Sequence, residues 1–147
     1  LELDKLKTSS LITRLTNEPM SVPEIMIQAI DFIIMQNRIY TPSGKSFRRI
    51  SEVAEVVGIE EGVVQLNKIF QWTPETDTID NVSITSKTLS QIANLSGKSM
   101  NELYHEIEKR EMVLSHMVRN NIRSVSEVNN ILERYYKNPE EILNEIR

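Results

Sequence analysis

The sequence predicts an α+β fold in which an antiparallel sheet is followed by a helical extension. Segments rich in β-branched and aromatic residues, each bounded by a turn signal, lie between residues 32 and 72. After residue 86 only helical patterns follow, and three helix-start signals occur within about 45 residues. We therefore expect a boundary near Asn81, with residues 1–80 before it and an extension of three to four helices in residues 81–147 after it.

The composition narrows the classes of function. A chain of 147 residues can bury a core of its own. Its formal net charge of -4 argues against a dedicated nucleic-acid-binding protein, which is usually basic. The sequence has no cysteine, which excludes disulfides and thiolate chemistry. No signal peptide is recognisable, and apolar runs such as Phe32–Met35 are far too short to span a bilayer.

The N-terminal segment predicts two short helices. Ser9–Leu15 has the pattern of the end of a helix that leads into a turn. Ser21 is then expected to cap a second helix that runs to about Ile30. Pro23 falls in its first turn, where the missing N–H costs nothing, and Glu24 is expected to complete a capping box.

The middle of the chain predicts a three-stranded antiparallel meander. The first strand, Phe32–Tyr40, contains a continuous apolar stretch, which is typical of a strand buried on both faces. A turn at Thr41–Gly44 leads to the second strand, Arg48–Val57. The third strand, Val63–Trp72, alternates apolar and polar residues, although Lys68 interrupts its apolar face. That apolar face is expected to consist of Val64, Leu66, Phe70 and Trp72.

The last third of the chain predicts a series of helices. A short helix, Thr88–Leu95, is expected to stop at Gly97, and Ser99 begins a capping-box sequence for a long helix that ends near Asn121. Further start signals follow at Ser124 and Asn138. The apolar residues of the long helix that keep helical spacing are Leu103, Ile107, Leu114, Met117 and Val118.

Gly44-Lys45-Ser46 is similar to the end of a phosphate-binding loop, but its surroundings favour a hairpin turn. A Walker A loop requires Gly-x-x-x-x-Gly-Lys-Ser/Thr ahead of a helix N-terminus. Here the position of the first glycine is occupied by Ile39, inside a predicted strand, and the residues after Ser46 belong to the next strand. We expect no nucleotide binding at this turn.

Four basic residues define what we call the basic hairpin: Arg38, Lys45, Arg48 and Arg49. No acidic residue lies between positions 32 and 51. Such a cluster can bind phosphate, an acidic neighbouring subunit or anionic lipid headgroups. It can equally be a solvated group of charges that protects a sheet edge from aggregation. These alternatives stay open at the level of sequence.

Metal binding and nucleophilic catalysis are not expected. His105 and His116 would lie on one face of the long helix but roughly 16 Å apart, too far to share an ion. No hydroxyl residue stands in a nucleophile-like motif. The aromatic residues Trp72, Tyr104, Tyr135 and Tyr136 most simply pack in the core, although the helix with the two adjacent tyrosines could instead dock on a partner.

Several blocks of the sequence carry a family resemblance. The most specific reads Arg14-Leu-Thr-Asn-Glu-Pro-Met-Ser-Val-Pro23. The others read Asp31-Phe-Ile-Ile-Met-Gln-Asn-Arg38, Arg48-Arg49-Ile-Ser-Glu-Val-Ala-Glu-Val-Val-Gly58, Ile69-Phe-Gln-Trp-Thr-Pro74 and Tyr135-Tyr-Lys-Asn-Pro-Glu140. Through these blocks nearly the whole chain resembles archaeal type II/IV secretion-system ATPases, the family of the archaellum motor ATPase and of general secretion pathway E-like proteins.

The resemblance implies a parent protein that is a hexameric, RecA-like ATPase at the cytoplasmic face of the membrane. Residues 1–80 would be the C-terminal antiparallel strands of its ATPase core, and residues 81–147 a helical extension that contacts a membrane platform protein. The parent would use ATP and magnesium to power pilus-like filament assembly, archaellum rotation or protein export. Its ATP-binding motifs are expected before Leu1, so this chain alone should bind no cofactor and be catalytically inactive.

The resemblance also singles out individual residues. Gln36 and Arg38 match a Gln-x-Arg pattern that follows the apolar strand of the family, with Arg48 and Arg49 in a later block. Arg14 falls in a part of the fold that resembles the wall between a nucleotide site and the neighbouring subunit. Guanidinium groups suit such positions because they bind phosphate oxygens in a fork. The alternative for Arg14 is a surface ion pair with Glu18.

Two other functions stay open at the level of sequence. The chain could be a stand-alone α+β adaptor with no role in nucleotide binding. A phosphate-binding loop in the sequence upstream of residue 1 would decide for the motor ATPase and against the adaptor. A nucleic-acid-binding domain would rest on the basic hairpin alone, and only a steep salt dependence of DNA binding would favour it.

Overall fold

The computed structural model describes residues 8–40 and 43–146 and has the α+β fold that the sequence predicts. Contacts divide the chain into a sheet unit, Leu1–Gln91, and a helical unit, Ile92–Arg147. The elements in chain order are α1 Thr8–Thr16, α2 Glu24–Ile27, β1 Phe32–Tyr40, β2 Ser46–Glu60, β3 Val63–Thr73, β4 Thr78–Asn81, α3 Lys87–Ser96, α4 Met100–Arg119, α5 Val125–Lys137 and α6 Pro139–Ile146.

The sheet is an antiparallel meander with the strand order β1-β2-β3-β4. β1 has the predicted bounds, whereas β2 and β3 are longer than predicted and the prediction of three strands was wrong. β4 pairs with the end of β3 through only four residues, all of them exposed. Such a short segment has no apolar alternation, so its sequence reads as a loop.

α1 lies against one face of the sheet. Thr8 of α1 bonds to Glu52 of β2, which shares that face with Ile33 and Ala54. Ile33 and Ala54 are buried there, whereas Ile34 on the opposite face is 59% exposed. The prediction that β1 is buried on both faces was therefore wrong, because β1 is an edge strand whose face opposite α1 stays exposed.

Three bulges shift the register of the meander. The extra residues are Ser51 and Val57 in β2 and Ile69 in β3. At Ile69 the bulge reverses the phase of alternation, so Ile69 is buried while the neighbouring Phe70 is exposed. The apolar face predicted for the third strand was wrong for this reason.

Glu55, which is 0% exposed, fixes the start of α3 to the sheet. Its carboxylate accepts hydrogen bonds from the backbone N–H groups of Lys87 and Thr88, both at 3.0 Å, and from the Ser86 hydroxyl at 2.5 Å. Burial alone would raise the pKa of Glu55, but these hydrogen bonds outweigh it, and the pKa lies below its ordinary value. The segment that follows β4 is thereby held to the sheet.

Glu52 holds α1 to the sheet in a similar way. It accepts from the backbone N–H of Thr8 at 3.2 Å and from the Thr8 hydroxyl, and it pairs with Lys68 at 3.0 Å. Burial opposes its ionisation, but the bonds from Thr8 and Lys68 bring the pKa of Glu52 below its ordinary value. Two carboxylates of β2 thus hold helices to the sheet, Glu52 holding α1 and Glu55 the start of α3, on opposite faces because their positions are three residues apart.

The cap predicted for α2 was wrong. Ser21 has a φ of 45°, Pro23 occupies the N-cap position, and no side chain caps the helix. α2 is a single turn that ends at Ile27, and Ile27 is buried.

Capping boxes correctly predicted where the helical unit begins its long helices. The Ser99 hydroxyl accepts from the Glu102 backbone N–H, and the Glu102 carboxylate accepts from the Ser99 backbone N–H in return. Ser124 caps α5 through the backbone N–H of Glu127. The buried core of this unit consists of Val113, Met117, Tyr135, Ile142 and Leu143.

The apolar stripe predicted for the long helix was only partly right. Leu103 and Met117 are buried, but Ile107, Leu114 and Val118 are exposed, because α5 and α6 cover a narrow stripe of α4. Among the four aromatic residues expected in the core, Tyr135 is buried and donates its hydroxyl to Glu106 at 3.2 Å. Tyr104 and Tyr136 are exposed, and Trp72 is half-buried.

Candidate subunit-contact surface

The ladder between β1 and β2 places two arginines directly opposite each other. Arg38 pairs in register with Arg48, Gln36 with Ile50 and Tyr40 with Ser46. Residues opposite each other in an antiparallel pair point to the same face. Gln36, Arg38 and Arg48 therefore lie together on the face of the sheet opposite α1.

The two arginines have different environments. The Arg38 Nε donates to the Ser46 hydroxyl at 3.0 Å, and its Cζ lies 5.6 Å from the ring centre of Tyr40. The side chain of Arg48 is exposed and makes no hydrogen bond or ion pair with any described residue. Like charges directly opposite each other repel, so this arrangement favours an external anion between them.

Arg49 does not belong to this pair. Its guanidinium forms a bidentate ion pair with Asp77, with both N–O distances at 2.7 Å, and its Cζ lies 4.5 Å from the ring centre of Phe47. The hydrogen bonds from Arg49 and Trp72 hold the pKa of Asp77 at about 2. The charge of Arg49 is therefore already neutralised within the chain.

The turn between β1 and β2 confirms the hairpin prediction for Gly44-Lys45-Ser46. Gly44 has a φ of 81°, which favours glycine, and Ser46 is the first residue of β2. Lys45 therefore precedes a strand and not the N-terminus of a helix. Thr41 and Pro42, which belong to the predicted turn, lie outside the described residues.

Arg14 belongs to α1 and not to the basic hairpin. It is exposed in the last turn of α1 and lines a depression of about 380 Å³ beside Glu18 and Met20. The ion pairs between described residues do not include one between Arg14 and Glu18. The surface ion pair with Glu18 is therefore not formed, and the guanidinium of Arg14 is available to a neighbouring molecule.

Sequence reasoning missed an acidic tip, Glu60 and Glu61, at the turn between β2 and β3. Both are exposed, and neither makes a side-chain hydrogen bond or ion pair within the described part of the chain. Glu61 also has a φ of 50°, a left-handed conformation that is unusual for glutamate. The signal in the sequence was the pair of adjacent carboxylates before Gly62.

Residues 8–40 and 43–146 offer neither a cluster of metal ligands nor a helix that could span a membrane. No group of three or more His, Asp or Glu side chains there could hold a metal ion. His105 contacts Glu108 at 3.3 Å, and His116 contacts Asn120. In the same residues no helix has the length and apolar character that crossing a membrane requires.

These observations define an α+β protein with an exposed basic surface, and its sequence is similar to longer archaeal proteins. No protein-family model matches the chain. An uncharacterized protein of Methanocaldococcus jannaschii is 35% identical over 138 residues, which are 92% of this chain and 19% of that protein.

Two further uncharacterized proteins of Methanocaldococcus jannaschii are similar. One is 32% identical over 112 residues, which are 75% of this chain and 41% of that protein. The other is 28% identical over 134 residues, which are 86% of this chain and 24% of that protein. The chain thus spans less than half the length of the curated relatives it matches.

Proposed function

We propose that this chain is the C-terminal part of a hexameric secretion or motility ATPase, in which it serves ring packing and partner docking and not catalysis. The observation that carries the proposal is the placement of Arg38 and Arg48 on one exposed face, with no counter-charge among the described residues. An unneutralised guanidinium pair suits the acidic or phosphate groups of a neighbouring subunit.

Two findings support a larger parent protein. The chain matches only 19–41% of the length of its curated archaeal relatives. In addition, the Arg-Leu-Thr-Asn-Glu-Pro block at residues 14–19 resembles the segment that follows the catalytic motifs of secretion ATPases. In the proposed parent, ATP and magnesium bind upstream of residue 1, and the protein acts peripherally at the cytoplasmic face of the membrane.

The helical unit is the proposed docking part. Leu114, Val118 and Tyr136 are exposed apolar side chains of this unit, and Tyr136 is 72% exposed. Apolar and aromatic side chains at a surface are typical of protein interfaces. A membrane platform protein of the secretion machine is the partner that the family resemblance implies.

The test uses the full-length parent protein and compares turnover with ATP affinity. We expect Arg14→Ala and Arg38→Ala each to lower kcat at least about tenfold while changing ATP affinity less than about twofold, because these groups act on a neighbour's site. Arg123→Ala, an exposed arginine of the helical unit, is the matched control. Unchanged turnover in both Arg14→Ala and Arg38→Ala would refute the proposal and leave the adaptor function.

A further inference from the structure

A pair of exposed arginines lies toward one end of the sheet and a pair of exposed glutamates at the other. β2 runs antiparallel to both neighbours, so the turn between β1 and β2 lies at one end of the sheet and the turn between β2 and β3 at the other. Arg38 and Arg48 lie near the first turn, and Glu60 and Glu61 lie at the second. We call these pairs the basic end and the acidic tip.

Neither pair can be neutralised by the other within one molecule. Arg48 and Glu60 are twelve positions apart on the same strand, or about 40 Å at roughly 3.3 Å per residue. That distance is several times the Debye length of about 10 Å at moderate salt. The acidic tip is therefore too far from the basic end to neutralise it within one molecule.

Exposed apolar side chains accompany both charged pairs. Tyr40 and Ile50 are exposed beside the basic end, and Val57 and Val63 are exposed beside the acidic tip. Apolar groups surrounded by complementary charges are the usual composition of a protein–protein contact. Both ends of the sheet thus have the composition of a contact surface, with opposite signs.

We propose that the basic end of one copy binds the acidic tip of the next copy of the same chain. The contact is a head-to-tail one, in which guanidinium groups meet carboxylates in charge-assisted hydrogen bonds. Head-to-tail contacts propagate from copy to copy and close into a ring when the rotation allows it. The inference rests on the proposed function, because it assigns the two surfaces through which neighbouring copies in the proposed ring contact each other.

The backbone of the acidic tip supports a role for its charge. Glu60 pairs with Val63, so the hairpin loop consists of Glu61 and Gly62, both with positive φ. Such two-residue loops favour Asn-Gly, because asparagine adopts this conformation more easily than glutamate. A glutamate here is a strained choice for folding, which points to a use of its carboxylate.

Covalent trapping tests the contact directly, because the chain contains no cysteine. In the proposed assembly, oxidation of the double variant Ile50→Cys/Val63→Cys, which keeps all four charges of the contact, gives a ladder of covalent oligomers. A bond within one chain is impossible, because a disulfide requires Cα atoms within about 7 Å. Ile50→Cys alone and Val63→Cys alone, the controls, give no species larger than a dimer. A double variant that stays monomeric or stops at a dimer would overturn the proposal.

Charge reversal provides the second measurement, by sedimentation of the cysteine-free chain at low and high salt. We expect Arg48→Glu and Glu61→Arg each to weaken self-association at least tenfold, and an equimolar mixture of the two to restore it. Arg49→Gln, which removes a neighbouring charge already paired with Asp77, leaves self-association unchanged. The proposed contact would be contradicted if either charge-reversal variant self-associated as tightly as the unaltered chain. It would also be contradicted if the mixture of the two variants failed to restore self-association.

Both measurements are made without nucleotide. A failed head-to-tail contact would therefore leave the turnover test of the parent protein unaffected. Conversely, a parent protein without ATPase activity would leave the self-association of this chain to be measured as before.

Discussion

Glu55 is a buried carboxylate that docks the start of α3 and also accepts a hydrogen bond from Asn67 of β3. Replacing it with glutamine removes a charge-assisted acceptor from two backbone N–H groups at the start of α3. We expect Glu55→Gln to lower the free energy of unfolding by about 2–3 kcal/mol. The single Trp72 lies in β3 and reports unfolding of the sheet unit in urea. The exposed Glu75→Gln serves as control, and an equal loss there would contradict the assigned role.

Glu52 and Glu55 also make the sheet unit sensitive to acid. Their pKa values in the folded chain lie below the ordinary value, so the stability they contribute is present above about pH 4.3 and is lost as the pH falls through the lower, folded values. We expect Trp72 fluorescence to report unfolding below about pH 4. In the double variant Glu52→Gln/Glu55→Gln the stability should fall less steeply with acid, and an unchanged slope would argue against this linkage.

The basic hairpin shows what the sequence can and cannot reveal about single residues. Residue type alone identified Arg38, Arg48 and Arg49 as candidates for binding anions. The sequence could not separate Arg49 from the others, because its partner Asp77 lies 28 positions away and reaches it only through the turn after β3. The roles of Glu52 and Glu55 could not be predicted for the same reason, since their helix partners are distant in sequence.

At the scale of elements, local signals predicted helices better than strands. The capping sequences at Ser99 and Ser124 need only neighbouring residues, and both start where predicted. The bulge at Ile69 and the short strand β4 depend on pairing with distant segments, which no local pattern encodes. The starts of α4 and α5 were thus predictable, whereas the strand faces were not.

The hairpin of β2 and β3 permits a gain of stability at one position. Glu61→Asn places the residue favoured for positive φ in the two-residue loop ahead of Gly62. We expect the free energy of unfolding to rise by about 0.5–1 kcal/mol, measured by thermal unfolding of dilute protein. Glu60→Asn, at a paired strand position, should give no gain. A loss of stability in Glu61→Asn would show that the glutamate is not strained.

For the whole molecule, the proposed function requires that the same polypeptide also contains the ATP-binding part of the ATPase. We expect the native polypeptide in its source cells to have a mass several-fold above 17.0 kDa, with a phosphate-binding loop in the additional sequence. Intact-mass measurement of the native protein checks this. A native mass near 17.0 kDa would instead favour an adaptor with no role in nucleotide binding.

The exposed apolar side chains on the sheet face opposite α1 have a consequence for solubility. Phe32 and Ile34 of the edge strand β1 stay exposed on that face, as does Phe70 of β3. Open sheet edges with apolar side chains template the addition of further strands, and nearby charges oppose it. Arg38 and Arg48 keep such faces apart by repulsion. Concentrated salt screens that repulsion and strengthens apolar association, so aggregation of the isolated chain through this face should increase with salt, whereas the proposed head-to-tail contact should weaken.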